Sequence, residues 1–127
     1  MSFLEVGMLI QLSGIVGGNT SIAVGARKTV LLQQIVIRVK SRQKLILRNL
    51  NYLLNNEAFA IKIEAEPSPG VFIARGGAGD LTPNKVLVNN TTGSELTIFL
   101  LISAVNTANN TRTLSRSDSW RLLLQRK

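Results

Sequence analysis

Between Thr29 and Lys40 the chain settles into a period of two, with Ile35, Ile37 and Val39 on one side and Gln34, Arg38 and Lys40 on the other. Successive side chains of a strand point to opposite faces, so this pattern predicts a half-buried strand with its basic side chains on the wet face. Phe59, Ile61, Ile63 and Ala65 alternate in the same way with Lys62, Glu64 and Glu66, and Pro67-Ser68-Pro69-Gly70 stops the run. Met8 to Val16 is apolar and ends at the turn signal Gly17-Gly18-Asn19. Ser41-Arg42-Gln43 reads as a turn, with Lys44 to Leu50 as the returning strand. Shorter runs at Ser21 to Val24, Val71 to Ala74 and Lys85 to Val88 sit between Gly-, Asn- and Pro-rich breaks, and Ser119 to Gln125 places Trp120, Leu122 and Leu124 in phase. A helix is conceivable only over Arg48 to Leu54, where the Asn residues argue against it.

One strand breaks the alternation. Leu96, Ile98, Leu100 and Ile102 form one face, and Phe99, Leu101 and Val105 on the other face are apolar too. Such a strand is either covered on both sides within one domain, or its outer face meets another subunit. The second reading makes Phe99, Leu101 and Val105 an oligomer interface, with a trimer favoured. The whole pattern predicts an all-β fold of about eight strands, an antiparallel β-sandwich or jelly-roll-like arrangement rather than a closed barrel, with little or no helix. Residues 1–127 are expected to form a single domain.

Composition narrows the chemistry. Hydrophobic residues make up 45% of the chain but aromatic residues only 5%, so the core must be built from Leu, Ile and Val. Cysteine and histidine are absent. Their absence removes disulfides, thiolate and imidazole metal ligands, and the Ser-His-Asp and Cys-His catalytic arrangements. Glu64 and Glu66 share a strand face at roughly 7 Å, a separation some glycosidase pairs use; beside Lys62 on a wet face they read as solvating charges. Gly25-Ala26-Arg27-Lys28-Thr29 lacks the glycine directly before lysine that a phosphate-binding loop needs. Arg75-Gly76-Gly77-Ala78-Gly79-Asp80 reads as a tight surface loop. No enzyme activity, metal or cofactor is expected. Met1 to Glu5 lacks a basic leader region, and no apolar run approaches the roughly 20 residues of a membrane helix, so synthesis in the cytoplasm and no membrane partner are expected.

The net charge of +8 is unevenly placed. No acidic residue lies between Glu5 and Glu57, a stretch that carries Arg27, Lys28, Arg38, Lys40, Arg42, Lys44 and Arg48. A second basic group, Arg112, Arg116, Arg121, Arg126 and Lys127, ends the chain. Read as a strand pair around Ser41, Arg38, Lys40, Arg42, Lys44 and Arg48 form a basic face for an anionic partner. Nucleic acid is one such partner but not the favoured one, because none of the six aromatic residues lies between Arg27 and Arg48 to stack a base. An acidic protein surface is the other. A carbohydrate-binding sandwich would need an exposed aromatic platform, for which Tyr52 and Trp120 are the candidates, although the phase of Trp120 predicts its burial.

Three carboxy-terminal segments carry a resemblance: Asn89-Asn90-Thr91-Thr92-Gly93-Ser94, the strand Glu95 to Asn106, and Leu114-Ser115-Arg116-Ser117-Asp118-Ser119-Trp120-Arg121-Leu122. Together they resemble the endings of small β-sandwich virion proteins of tailed phages, the head decoration or cement type, in which a polar turn, a long apolar strand and a Leu-x-x-Gly-Asp-Ser closing segment recur. Here Ser117 stands where glycine is usual. The resemblance covers about a third of the chain. It implies a non-catalytic subunit on the capsid surface, often trimeric, with the major capsid protein as partner.

Overall fold

The computed structural model describes residues 2–6, 8–15, 21–67 and 70–127, the first of these by backbone path only. Among them are twelve strands and no helix: β1 Ser2–Val6, β2 Leu9–Ile15, β3 Ile22–Val24, β4 Thr29–Val39, β5 Lys44–Leu53, β6 Phe59–Glu66, β7 Val71–Ala74, β8 Ala78–Leu81, β9 Lys85–Asn89, β10 Leu96–Asn106, β11 Arg112–Leu114 and β12 Ser119–Arg126. One sheet has the order β1-β2-β12-β5, with β8 and β9 both on the far edge of β5. The second runs β4-β10-β6-β7, and β3 pairs with β11 as a short separate ribbon.

The pairing is nested. β6 pairs with β7, β5 with β8 and β9, β4 with β10, β3 with β11, and β2 with β12, all antiparallel. The chain is thus one long hairpin rolled over on itself, with its rungs dealt between the two sheets and the β3–β11 rung set apart as a ribbon; that is a jelly roll. β12 and β10 then pair a second time, with β5 and β6, and this closes each sheet.

Alternation fixes what lies inside. Ile10, Leu12, Leu45, Leu47, Leu50, Tyr52, Trp120, Leu122 and Leu124 face inward from the six-stranded sheet. They meet Ile37, Val39, Phe59, Ile61, Ile63, Ile98, Leu100 and Ile102 from the four-stranded one. Trp120 is buried and lies opposite Gly14, where even a Cβ would come within 2.6 Å of the indole ring. The glycine makes room for the largest side chain of the core.

Two expectations need correction, and one is met. As its Asn residues argue, the segment from Arg48 is not helical; β5 runs on through it to Leu53. The inward residues step from Leu47 to Leu50, because a bulge lets β12 pass from Leu123 opposite Asn49 to Leu124 opposite Leu47. A three-residue step within a strand imitates helical spacing. The glycine-rich segment after Arg75 contains β8, which adds an edge to β5. Finally, β4 and β5 do not pair. The turn at Ser41 carries the chain from the four-stranded sheet to the six-stranded one.

Candidate interaction surfaces

The outer faces of the two sheets differ in kind. On the four-stranded sheet, β10 lies between β4 and β6, and each of its outward residues has a cross-strand partner. Val36, Phe99 and Glu66 form one row, Gln34, Leu101, Glu64 and Val71 the next, and Leu31, Ser103, Lys62 and Ile73 a third. Phe99 is 42% exposed, Val36 56% and Leu31 51%; Val71 and Ile73 are exposed as well, while Leu101 and Val105 are half-buried among these neighbours. Lys62 and Glu64 pair at 3.6 Å within this field. The face thus carries exposed apolar side chains in each row, interspersed with Gln34, Ser103, Lys62, Glu64 and Glu66. Phe99, Leu101 and Val105 all lie on it.

The six-stranded sheet presents mostly polar groups outward. Ser13, Arg121, Asn51 and Asp80 make one row, and Gln11, Leu123 and Asn49 another. Asn49 Nδ2 donates to Asp80 Oδ1 at 2.9 Å, and Arg48 Nε and Nη1 donate to Gln125 Oε1 at 2.8 Å and Asn84 Oδ1 at 3.0 Å. Its exposed apolar side chains are Leu9, Ile15 and Leu53 at strand ends, with Leu81 and Val86 on the edge strands β8 and β9.

The five basic residues expected to share one face are divided between three places. Arg38 points outward from the four-stranded sheet, in register with Thr97. Arg48 lies on the outer side of the opposite sheet, tied to Gln125 and Asn84. Lys40, Arg42 and Lys44 remain together, on the turn between the sheets at one end of the sandwich. Lys127 joins them there through a reciprocal pair of backbone hydrogen bonds with Lys44, both 2.9 Å. Adjacency along the sequence could not reveal this division, because a turn between strands of one sheet and a turn between sheets use the same residue types.

Two buried asparagines organise the loops, and neither was anticipated. Asn90 Nδ2 donates to the carbonyls of Val39, Lys40 and Ser94, and its Oδ1 accepts from the Thr92 amide and hydroxyl. Asn106 repeats the device at the other end: its Nδ2 donates to the carbonyls of Val24, Gly25 and Asn110, and its Oδ1 accepts from the Ala108 amide. Each backbone amide also donates to the last residue of the turn it clamps, Gln43 for Asn90 and Lys28 for Asn106. The clamped turns match as well, with Arg42 and Arg27 both at positive φ (65° and 61°). The signal in the sequence is an Asn one residue beyond an apolar strand or at its end, followed by small polar residues, and on its own that is an ordinary turn signature.

Asp118, in the closing segment, is also fully buried. Its carboxylate accepts from the Asn55 amide at 3.0 Å, Asn55 Nδ2 at 2.5 Å and the Ser115 amide at 2.9 Å. It therefore pins the turn before β12 to the loop after β5. Tyr52 is buried too and donates from its hydroxyl to the Arg75 carbonyl at 2.9 Å; burial raises its pKa. With Tyr52 and Trp120 both inside, neither ring offers a platform for stacking a sugar. Among the described residues no three Asp or Glu side chains gather as a metal site.

Jelly rolls serve many unrelated functions. No protein-family model matches the sequence, and no curated protein matches it. Among solved structures, the chain is similar to a chain in the structure of the infectious bursal disease virus Gx strain, with a TM-score of 0.53 and 11% identity over 91% of this chain and 31% of that one. It is also similar to a chain from the Gt strain, with a TM-score of 0.50 and 10% identity over 91% of this chain and 33% of that one. This chain thus spans about a third of the length of the chains it resembles. At such identities the likeness establishes a shared fold.

Proposed function

We propose that this protein is a non-catalytic structural subunit of a virus particle: a decoration or cement protein that docks on the major capsid protein of a phage head and sits on the capsid surface. The observation that carries the reading is the exposed apolar outer face of the four-stranded sheet, on a jelly roll whose structural neighbours are chains of a virus. In this reading Phe99, Leu101 and Val105 form the centre of a homo-oligomeric, trimeric contact, with Val36 and Leu31 extending it. Lys40, Arg42 and Lys44 supply the basic rim that meets an acidic capsid surface, and Arg38 lies at the edge where the two surfaces adjoin. The resemblance of the carboxy-terminal segments to phage head proteins supports the same role.

The test is assembly. Phe99→Asp and Leu101→Asp should each leave the fold intact and abolish self-association in light scattering, because a carboxylate buried in a subunit contact lacks a partner. Normal assembly of both variants would remove those residues from any interface. Lys40→Ser combined with Lys44→Ser should lower particle occupancy and leave oligomerisation unchanged.

A further inference from the structure

The end of the sandwich opposite the Lys40–Lys44 turn is built from the loops 25–28, 54–58, 75–77, 107–111 and 115–118. Hydrogen bonds join these loops into one surface: the Arg27 amide donates to Ala108 O, Thr107 to Ala58 O, Leu54 to Gly77 O, and Asn55 to Asp118. Arg27, Lys28, Arg75 and Arg116 stand exposed on the loops themselves, and Arg112 beside them on β11. They come from three distant parts of the sequence, and against them stands one exposed carboxylate, Glu57. The side chains of Arg27, Lys28, Arg75 and Arg112 make no ion pair among the described residues. Arg27 lies at the β4 side and Arg75 at the β7 side, three strand spacings apart, or about 14 Å.

We infer that this end is a docking surface for the phosphate backbone of nucleic acid. Its composition separates that partner from an acidic protein. A protein contact of any strength has an apolar or aromatic centre, and none of the large exposed apolar side chains lies in these loops. Ile15 and Leu53 turn onto the outer face of the six-stranded sheet instead. Here the cations are interleaved with Asn109, Asn110, Thr111 and Ser117, all exposed. A polar, strongly positive and wet surface is the character of nucleic-acid interfaces. Four of the five cations are arginines, whose planar forks match phosphate oxygens. Among the described residues no aromatic side chain is exposed there, so the surface reads backbone and not base, and binding is indifferent to sequence. This inference is independent of the decoration reading, which rests on the opposite end and on the four-stranded face.

The repeated turn provides a matched control. Arg27→Asn with Arg112→Thr removes two charges from this end, and Arg42→Asn with Lys44→Thr removes two from the other. Asparagine tolerates the positive φ of Arg27 and Arg42. Binding of a labelled, mixed-sequence single-stranded oligonucleotide is measured against salt, with poly-aspartate as a competing probe and Trp120 fluorescence as the check on folding. The first pair should flatten the log–log salt slope by about 1.4, at roughly 0.7 per lost phosphate contact, and the second pair should leave it as in wild type. Equal flattening by both pairs would mean that only the overall charge attracts the oligonucleotide. Poly-aspartate competing as well as unlabelled oligonucleotide would mean a carboxylate-binding surface. Either result overturns the inference.

Discussion

The two sheets bury equivalent inner faces but turn different outer faces to the surroundings. On the four-stranded sheet, Phe99 and Val36 share one row and Leu31 stands two rows away, among Gln34, Glu66 and the Lys62–Glu64 pair. On the six-stranded sheet, Asn49, Asn51 and Arg121 occupy the equivalent central positions together with the half-buried Leu123, and a network from Arg48 through Gln125 and Asn84 occupies part of the rest. Both faces belong to one chain and meet the same solvent, so fold stability does not account for the asymmetry. An apolar face left open gains free energy only when something covers it, at roughly 25 cal/mol per Å² removed from water. The proposed assembly contact therefore lies on the four-stranded sheet, and the variants below test whether another chain covers its outer face.

The sharpest test of this contrast compares neighbours on a single strand. Leu100 and Trp120 are buried on inner faces, whereas Phe99 is on the outer one. Leu100→Ala should cost about 2–5 kcal/mol and Trp120→Ala about 3–5 kcal/mol in denaturant unfolding of the monomer. Phe99→Ala should cost far less than either. If Phe99→Ala matched Leu100→Ala in a monomeric background, the outer face would already be covered within the chain and the contrast would fail.

A smaller effect is expected at the clamps that hold the sheets in register at each end. Asn106→Ala leaves buried carbonyls of Val24 and Gly25 without their side-chain donor, at a cost of about 1–3 kcal/mol. Asn90→Ala should behave alike, and thermal unfolding of the two variants checks that the ends are equivalent. Unequal losses would show that one end carries more of the fold.

Tyr52, on the inner face of the six-stranded sheet, gives a pH signature. Burial raises its pKa, so its contribution is fully present below the ordinary tyrosine value of about 10 and is lost as pH rises from there through the folded value. Thermal stability should fall on that alkaline side, and Tyr52→Phe should remove this component of the fall. Tyr52 is the only tyrosine in the chain, so phenolate absorbance reports its ionisation directly. Ionisation at the ordinary value in the folded protein would place the ring in water. The smallest effect is expected at Arg38, exposed at the edge of the apolar face: Arg38→Ser should change monomer stability by no more than about 0.5 kcal/mol.

Much of this architecture was legible in the sequence, for a physical reason. Alternation is a local property, so Thr29 to Lys40, Phe59 to Glu66 and Leu96 to Val105 announce their strands and their inward residues directly. The bulge in β5 was not legible: skipping one residue places Leu47 and Leu50 three apart, as on a helix. Nor were β8 and β11 legible, since a few residues such as Arg112 to Leu114 carry too little pattern to stand out. Sheet membership was hidden as well. Where the chain crosses to the other sheet at Ser41, the crossing is held by Asn90, some fifty residues away, seated on the carbonyls of Val39 and Lys40. That is why one basic face became three separate places, and why the opposite basic end, assembled from three distant regions, left no local trace.

The nested pairing also imposes an order in time. β6 and β7 are joined by a short connection, whereas Leu12 must find Leu122 from almost the far end of the chain. Closing that outermost loop first would carry a large entropy cost with no contacts yet to offset it. If the innermost rung closes first, each later pair joins ends that the previous rung already holds near one another. The rolled hairpin can therefore fold as a zipper drawn from its middle outward.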